Sequence, residues 1–101
     1  MSVVVVAVLT PKPDRREEVR AALIEAVEAT HRELGCELYS LHENGDVFAL
    51  VERWSSREAL DAHLRGPVLQ KLGPLFEDAL TGSVLQIVDP VEAGDPEKSS
   101  V

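Results

Sequence analysis

Aromatic residues are scarce in this chain, with two Phe, one Tyr and one Trp among 101 residues. Cysteine occurs once, as Cys36, which excludes an intramolecular disulfide and leaves no thiolate pair for a structural zinc site. The histidines, His31, His42 and His63, form no H-x-H or H-E-x-x-H grouping, and neither a Gly-rich phosphate loop nor a G-x-S-x-G elbow is present. A metal site, a nucleotide cradle and a serine-hydrolase nucleophile all lack their usual local signatures. Basic charge is short as well: 10 Lys and Arg stand against 18 Asp and Glu, giving a formal net charge of -8, and the basic residues are scattered. Phosphate backbones and anionic bilayers are repelled by such a chain, so nucleic acid and membrane surfaces are not expected partners, whereas a neutral or aromatic small molecule is compatible.

Long apolar runs are missing too. Residues 3–9 are continuous Val, Ala and Leu, but this stretch is too short to span a bilayer, lacks a preceding basic segment and runs into Thr10-Pro11-Lys12-Pro13 without a small-residue cleavage pattern. With the lone cysteine, this points to a reducing, cytoplasmic setting. The hydrophobic fraction of 45% and the charged fraction of 28% are ordinary for one folded domain. A chain this short has a modest core, and oligomerisation would enlarge it.

The order of elements is readable from periodicity and punctuation. Residues 3–9, β-branched and bounded by prolines, predict a strand buried on both faces. Asp14 is placed to cap a helix in a D-x-x-E start with Glu17, and Val19, Leu23, Ala26, Val27, Thr30 and Leu34 recur at steps of three and four before Gly35. Residues 36–43 alternate as a second strand, Asn44-Gly45 predicts a tight hairpin with positive φ, and residues 47–54 return as a third. Ser55 or Ser56 caps a helix to about Arg65, Gly66-Pro67 breaks it, residues 68–80 form a third helix and residues 84–89 a last strand. Residues 91–101, rich in Glu, Asp, Gly, Pro and Ser, predict a mobile acidic tail after a domain of residues 1–90. The pattern β-α-β-β-α-(α)-β is an α+β, ferredoxin-like split β-α-β arrangement with an antiparallel four-stranded sheet, the third strand lying between the first and second.

Both faces of that sheet are apolar. Val3, Val5, Ala7 and Leu9 oppose Val4, Val6 and Val8; Phe48 and Leu50 oppose Val47, Ala49 and Val51; Leu85 and Ile87 oppose Val84 and Val88. Helices cover one face of such a sheet, so a second copy of the chain, sheet against sheet about a two-fold axis, is the expected cover of the other. Several hundred square ångströms of aliphatic surface at about 25 cal/mol per Å² contribute on the order of 10 kcal/mol before association costs.

Three segments in order, Gly35-Cys36-x-x-Tyr39, Leu50-Val51-Glu52-Arg53-Trp54 and Ser56-Arg57-Glu58-Ala59-Leu60-Asp61-Ala62-His63-Leu64, resemble the antibiotic biosynthesis monooxygenase family, which includes quinol monooxygenase-like proteins. The resemblance covers roughly residues 3–90. It implies a dimeric α+β barrel and oxidation of a small phenolic or quinol substrate by molecular oxygen with no metal, flavin or haem cofactor. Such chemistry calls for a group that takes the phenolic proton, an apolar space for an aromatic ring and restricted water.

His63 suits the proton-accepting role, and the competing role is a core-edge histidine bonded to a backbone carbonyl. Trp54, Glu52 and Phe48 share a strand face, so they are candidate substrate contacts, with Trp54 able either to stack on a ring or simply to pack. Glu52 on that face needs a partner, and Arg20, Arg53 and Arg57 are available. Tyr39 is placed to hydrogen-bond a substrate oxygen or to pack at an interface. His42 is expected exposed near the hairpin, His31 at the end of the first helix, and Cys36 as a small buried hydrophobe. Two alternatives remain: a non-catalytic dimeric barrel that binds an aromatic metabolite, and a haem-degrading monooxygenase. The latter resembles an Asn on the first strand with Trp and His near the second helix, where this chain has Val6, His63 and Gly73, and those departures count against it.

Overall fold

A computed structural model of the chain describes residues 2–101. Strand β1 (Val3–Pro11) is paired along both edges, but it is not buried on both faces as its Val-rich run predicts, because Val6 is 38% exposed. It pairs antiparallel with β3 (Phe48–Trp54), from Val3 opposite Trp54 to Leu9 opposite Phe48, and with β4 (Leu80–Val88), from Val4 opposite Val88 to Pro11 opposite Leu80. Strand β2 (Cys36–Glu43) lies outside β3, and the sheet order is β2-β3-β1-β4. The third strand therefore does insert between the first two, giving the ferredoxin-like α+β fold, and the sheet is open rather than closed into a barrel.

Helices α1 (Arg16–Thr30), α2 (Arg57–Arg65) and α3 (Pro67–Ala79) pack on the strand face that carries Val3, Val5, Ala7, Leu9, Phe48, Leu50, Glu52 and Trp54. Val19, Leu23, Ala26 and Thr30 form the buried stripe of α1, and Leu60 and His63 that of α2. On the opposite sheet face Val4 is buried, but Val6 is 38% exposed, Val84 56% and Val88 43%, so most of the second apolar face stands open. Among the described residues no helix is long and apolar enough to cross a membrane.

Several local expectations are corrected. Asp14 does not cap α1: Pro13–Arg15 form a 3-10 turn, and α1 starts at Arg16 without a side-chain cap. Pro13 pre-sets φ for that tighter turn and draws Asp14 inside it. The helix ends at Thr30, and Leu34, assigned to its apolar stripe by spacing, is 95% exposed in the turn that follows. The 44–47 hairpin has no positive φ at Gly45. Asn44 Oδ1 instead accepts from the backbone N–H groups of Asp46 and Val47 at 2.8 and 2.9 Å, an Asx turn that replaces the left-handed one. Helix α3 stops at Ala79, and Leu80 through Ser83 belong to β4 rather than leading into it. Within residues 91–101, Pro96–Ser99 make one helical turn, α4, with Asp95 Oδ1 accepting from Glu97 N–H, and the Arg53 guanidinium donates to the Val101 carbonyl.

Gly35 fixes the corner between α1 and β2. Its φ of +85° lies in the left-handed region, and a Cβ there would meet Ala59 Cβ at 2.5 Å and Ser55 Oγ at 2.8 Å. The backbone of this corner thus sits directly against the first turn of α2, tied by the Ser55 N–H to the Gly35 carbonyl at 2.8 Å.

Candidate functional site

Where β3 ends and α2 begins, the chain assembles a buried cluster of polar and aromatic groups. The two-residue period of β3 points Glu52 and Trp54 to the helix side, and the Trp54 indole Nε1–H donates to Glu52 Oε1 at 2.9 Å. Ser56 Oγ accepts from the Ala59 N–H at 3.1 Å and sets the start of α2, so that His63 comes down on the same side two helical turns later. Its imidazole packs on the indole with ring centroids 4.6 Å apart and 32° between the planes. Tyr39, across from Glu52 on β2, meets His63 edge-on at 5.4 Å and Trp54 at 6.4 Å. Trp54 is fully buried and His63 only 2% exposed.

Glu33 completes the cluster, and nothing in the periodicity pointed to it. It lies beyond α1 in the 31–35 turn, and its Oε1 sits 2.9 Å from His63 Nδ1. Its other carboxylate oxygen, Oε2, and the Thr30 hydroxyl are buried without a hydrogen-bond partner among the described residues. The only advance signal is its place two residues before a glycine forced against α2.

Electrostatics differ across the cluster. Burial pushes the Glu52 carboxyl above its ordinary range, opposed by the indole hydrogen bond and by the nearby His63. Burial, reinforced by the Glu52 charge, raises the Tyr39 phenol well above its ordinary value. Burial and then the Glu33 charge raise the Cys36 thiol, which is half-buried and therefore a poor nucleophile.

Of the residues singled out from sequence, His63, Trp54, Glu52 and Tyr39 come together. Phe48 does not. It is fully buried at the opposite end of β3, about 20 Å along the strand from Trp54 at ~3.3 Å per residue, with the Arg16 guanidinium 4.5 Å from its ring centre. The arginines considered as partners of Glu52 are engaged elsewhere: Arg20 with Glu43, Arg53 with Glu37 and Arg57 with Asp61, each at 3.1 Å. Trp54 takes their place because its indole lies on the same strand face two residues on, whereas Arg53 projects to the other face. His42 is exposed at the hairpin side of β2, bonded to Ser40 Oγ at 2.8 Å, and His31 bonds the Tyr39 carbonyl at 2.9 Å.

An open groove of about 490 Å³ runs along β2, lined by His31, Cys36, Glu37, Leu38, Tyr39 and Ser40, and shares Tyr39 with the cluster. Its volume falls within the range of small-molecule sites, about 300–1,000 Å³. Among the described residues no three His, Cys, Asp or Glu side chains are grouped so as to hold a metal ion.

Comparison with known proteins supplies context for this arrangement. Residues 2–73 match the family model described as antibiotic biosynthesis monooxygenase. A Mycobacterium tuberculosis protein named "Putative monooxygenase Rv0793" is 36% identical over 97 residues, covering 90% of this chain and 96% of that protein. The solved structure of Rv0793 superposes with a TM-score of 0.87 at 32% identity, over 94% of this chain and all of that one (100%). A structure described as antibiotic biosynthesis monooxygenase gives a TM-score of 0.83 at 28% identity, over 89% of this chain and 99% of that one.

Proposed function

The chain belongs to the antibiotic biosynthesis monooxygenase family, and from that premise we propose that it is a monooxygenase-type enzyme acting on a small phenolic or quinol substrate without a cofactor. The observation that carries this is the imidazole of His63, buried between sheet and helices, lying on an indole and within hydrogen-bond reach of a carboxylate. A phenolate gives up an electron to dioxygen far more readily than a phenol, so the protein's task is to remove one proton in a place closed to water. His63 accepts that proton. Trp54 and Tyr39 supply the ring surfaces against which an aromatic substrate stacks, and the groove beside Tyr39 is its way in. With a quinol, two electrons and two protons pass to dioxygen, giving quinone and hydrogen peroxide. With an activated methylene, as in an anthrone, one oxygen atom becomes the new carbonyl and the other leaves as water.

The open sheet face belongs to the same proposal. Val6, Val84 and Val88 are exposed on the sheet face opposite α1, α2 and α3, and a second copy of this chain is the occupant that would close two open sheets around one interior.

Oxygen consumption with a panel of reduced naphthoquinols and anthrones, measured above the autoxidation background, tests the activity. Uptake that needs the protein and falls in His63→Gln supports it; uptake no faster than background for every compound overturns it. A second reading has its own observation. Because Trp54 is fully buried and His63 nearly so, the rings fill the space between sheet and helices rather than line a void beside the imidazole, which favours a non-catalytic member whose ligand would sit in the groove along β2. Saturable binding of the panel without oxygen uptake is its signature.

A further inference from the structure

We infer that Glu33 is a positioning residue that commits His63 to accepting a proton at Nε2. This rests on the role proposed above for His63. An ionised carboxylate only accepts hydrogen bonds, so the 2.9 Å contact from Glu33 Oε1 places the ring hydrogen of a neutral His63 on Nδ1. The other nitrogen is then the basic one.

The backbone around Glu33 is held from both sides. Its N–H donates to the Thr30 carbonyl at 2.9 Å, its carbonyl accepts from Cys36 N–H at 3.2 Å, and Gly35 anchors the turn to Ser55 at 2.8 Å. The left-handed φ at Gly35 and the contact it makes with Ala59 bring this turn against α2, the helix that carries His63. The ring itself is confined by the Trp54 face at 4.6 Å and the Tyr39 edge at 5.4 Å. A ring flip would require these neighbours to move and would break the bond to Glu33. The Glu33 side chain is 26% exposed against 2% for His63, but its Oε2 is buried and its Oε1 faces the ring, so the carboxylate itself is turned inward.

The proton step balances within the cluster. The phenolic O–H bond breaks, its electron pair stays on the substrate oxygen, and the proton moves to Nε2. Nδ1 keeps its own hydrogen in the bond to Glu33, whose negative charge offsets the imidazolium. A neutral acceptor at this position would still hold the tautomer but would give up that offset.

The test pairs nitrogen-15 NMR of the three histidine rings with kinetics on a naphthoquinol of the panel, using His63→Gln to assign the His63 signals. In the unmodified protein the neutral His63 ring is expected with hydrogen on Nδ1 and a bare Nε2. In Glu33→Ala the tautomer should become mixed and kcat fall on the order of tenfold to hundredfold, a part of the roughly 10²–10⁴-fold that general acid–base catalysis contributes, with KM little changed. Glu33→Gln, whose amide oxygen still accepts from Nδ1–H, should keep the tautomer and recover part of kcat, and it serves as the folded control if the alanine variant is unstable. Hydrogen on Nε2 in the unmodified protein, or a tautomer and kcat unmoved in Glu33→Ala, overturns the inference. If the tautomer depends on Glu33 while no variant consumes oxygen, the positioning stands and the proposed oxidation falls, so the two failures are distinguishable.

Discussion

The single tryptophan of this chain donates its indole N–H to Glu52 and stacks on His63, so Trp54 binds a carboxylate by its edge and an imidazole by its face. Removing only the first contact separates the two. Trp54→Phe keeps a ring against His63 but leaves Glu52 buried without its donor. A loss of about 1–3 kcal/mol is expected, measured by urea denaturation followed by circular dichroism, and the loss should shrink in a Glu52→Leu background, where no carboxylate is left unsatisfied.

Glu52 makes stability depend on pH in a known direction. Its folded carboxyl titrates above the unfolded value because of burial. Below the unfolded value, about 4.3 for Glu, both states are protonated and the group costs nothing. As pH rises from there through the raised folded value, the unfolded state releases its proton first and the fold loses stability. Glu52→Gln keeps an oxygen for the indole and cannot ionise. Its stability relative to the unmodified protein should therefore rise across that window and level off above it, and denaturation curves between pH 3 and pH 8, on the order of one per pH unit, would show a flat difference if Glu52 is not perturbed.

Gly35→Ala is expected to be costly. A left-handed φ costs a residue bearing a Cβ roughly 1–2 kcal/mol, and the new methyl would press on Ala59 Cβ, a contact of 2.5 Å with no flexible end to yield. Overpacking adds about 1–3 kcal/mol. For a domain of this size each kcal/mol lowers Tm by about 4–8 °C, so a calorimetric Tm within a degree or two of the unmodified value would contradict the geometry.

The proposed dimer has a simple probe in Val84→Lys. Val84 is 56% exposed, so a lysine there costs an isolated chain little, but in a sheet-to-sheet interface it would bury a charge. Light scattering at micromolar concentration should show the unmodified protein at twice its 11.0 kDa chain mass and the variant at or near the single-chain mass. A monomer before substitution removes the second copy from the proposal.

The fold was legible where short-range patterns govern it. The β-branched run of β1 announced a strand, though not one buried on both faces, the alternation of β3 announced that Trp54, Glu52 and Phe48 share a face, and Ser56 capped α2 as such residues do. What escaped was settled at longer range. Glu33 reaches His63 across 30 residues of sequence, from a turn that no periodicity describes. Glu52 was assigned arginine partners by charge alone, yet face alternation sends Arg53 away and brings Trp54 in. The hairpin dipeptide Asn44-Gly45 marked the turn correctly and its geometry wrongly, because the Asn44 side chain supplied the bond that a left-handed backbone would have made. Phe48 shares its strand face with the cluster but not its position along the strand, which alternation cannot distinguish.

The close packing of Trp54 on His63 leaves a guest no vacant seat between them. A ring that stacked on the face of the imidazole now covered by Trp54 would first have to part the two, so binding there would be coupled to an opening equilibrium, and the observed Kd would be the intrinsic one divided by the fraction of molecules already open. Trp54 then reports on each such event by its own fluorescence. A substitution that loosens the pair could weaken the fold and yet tighten the complex.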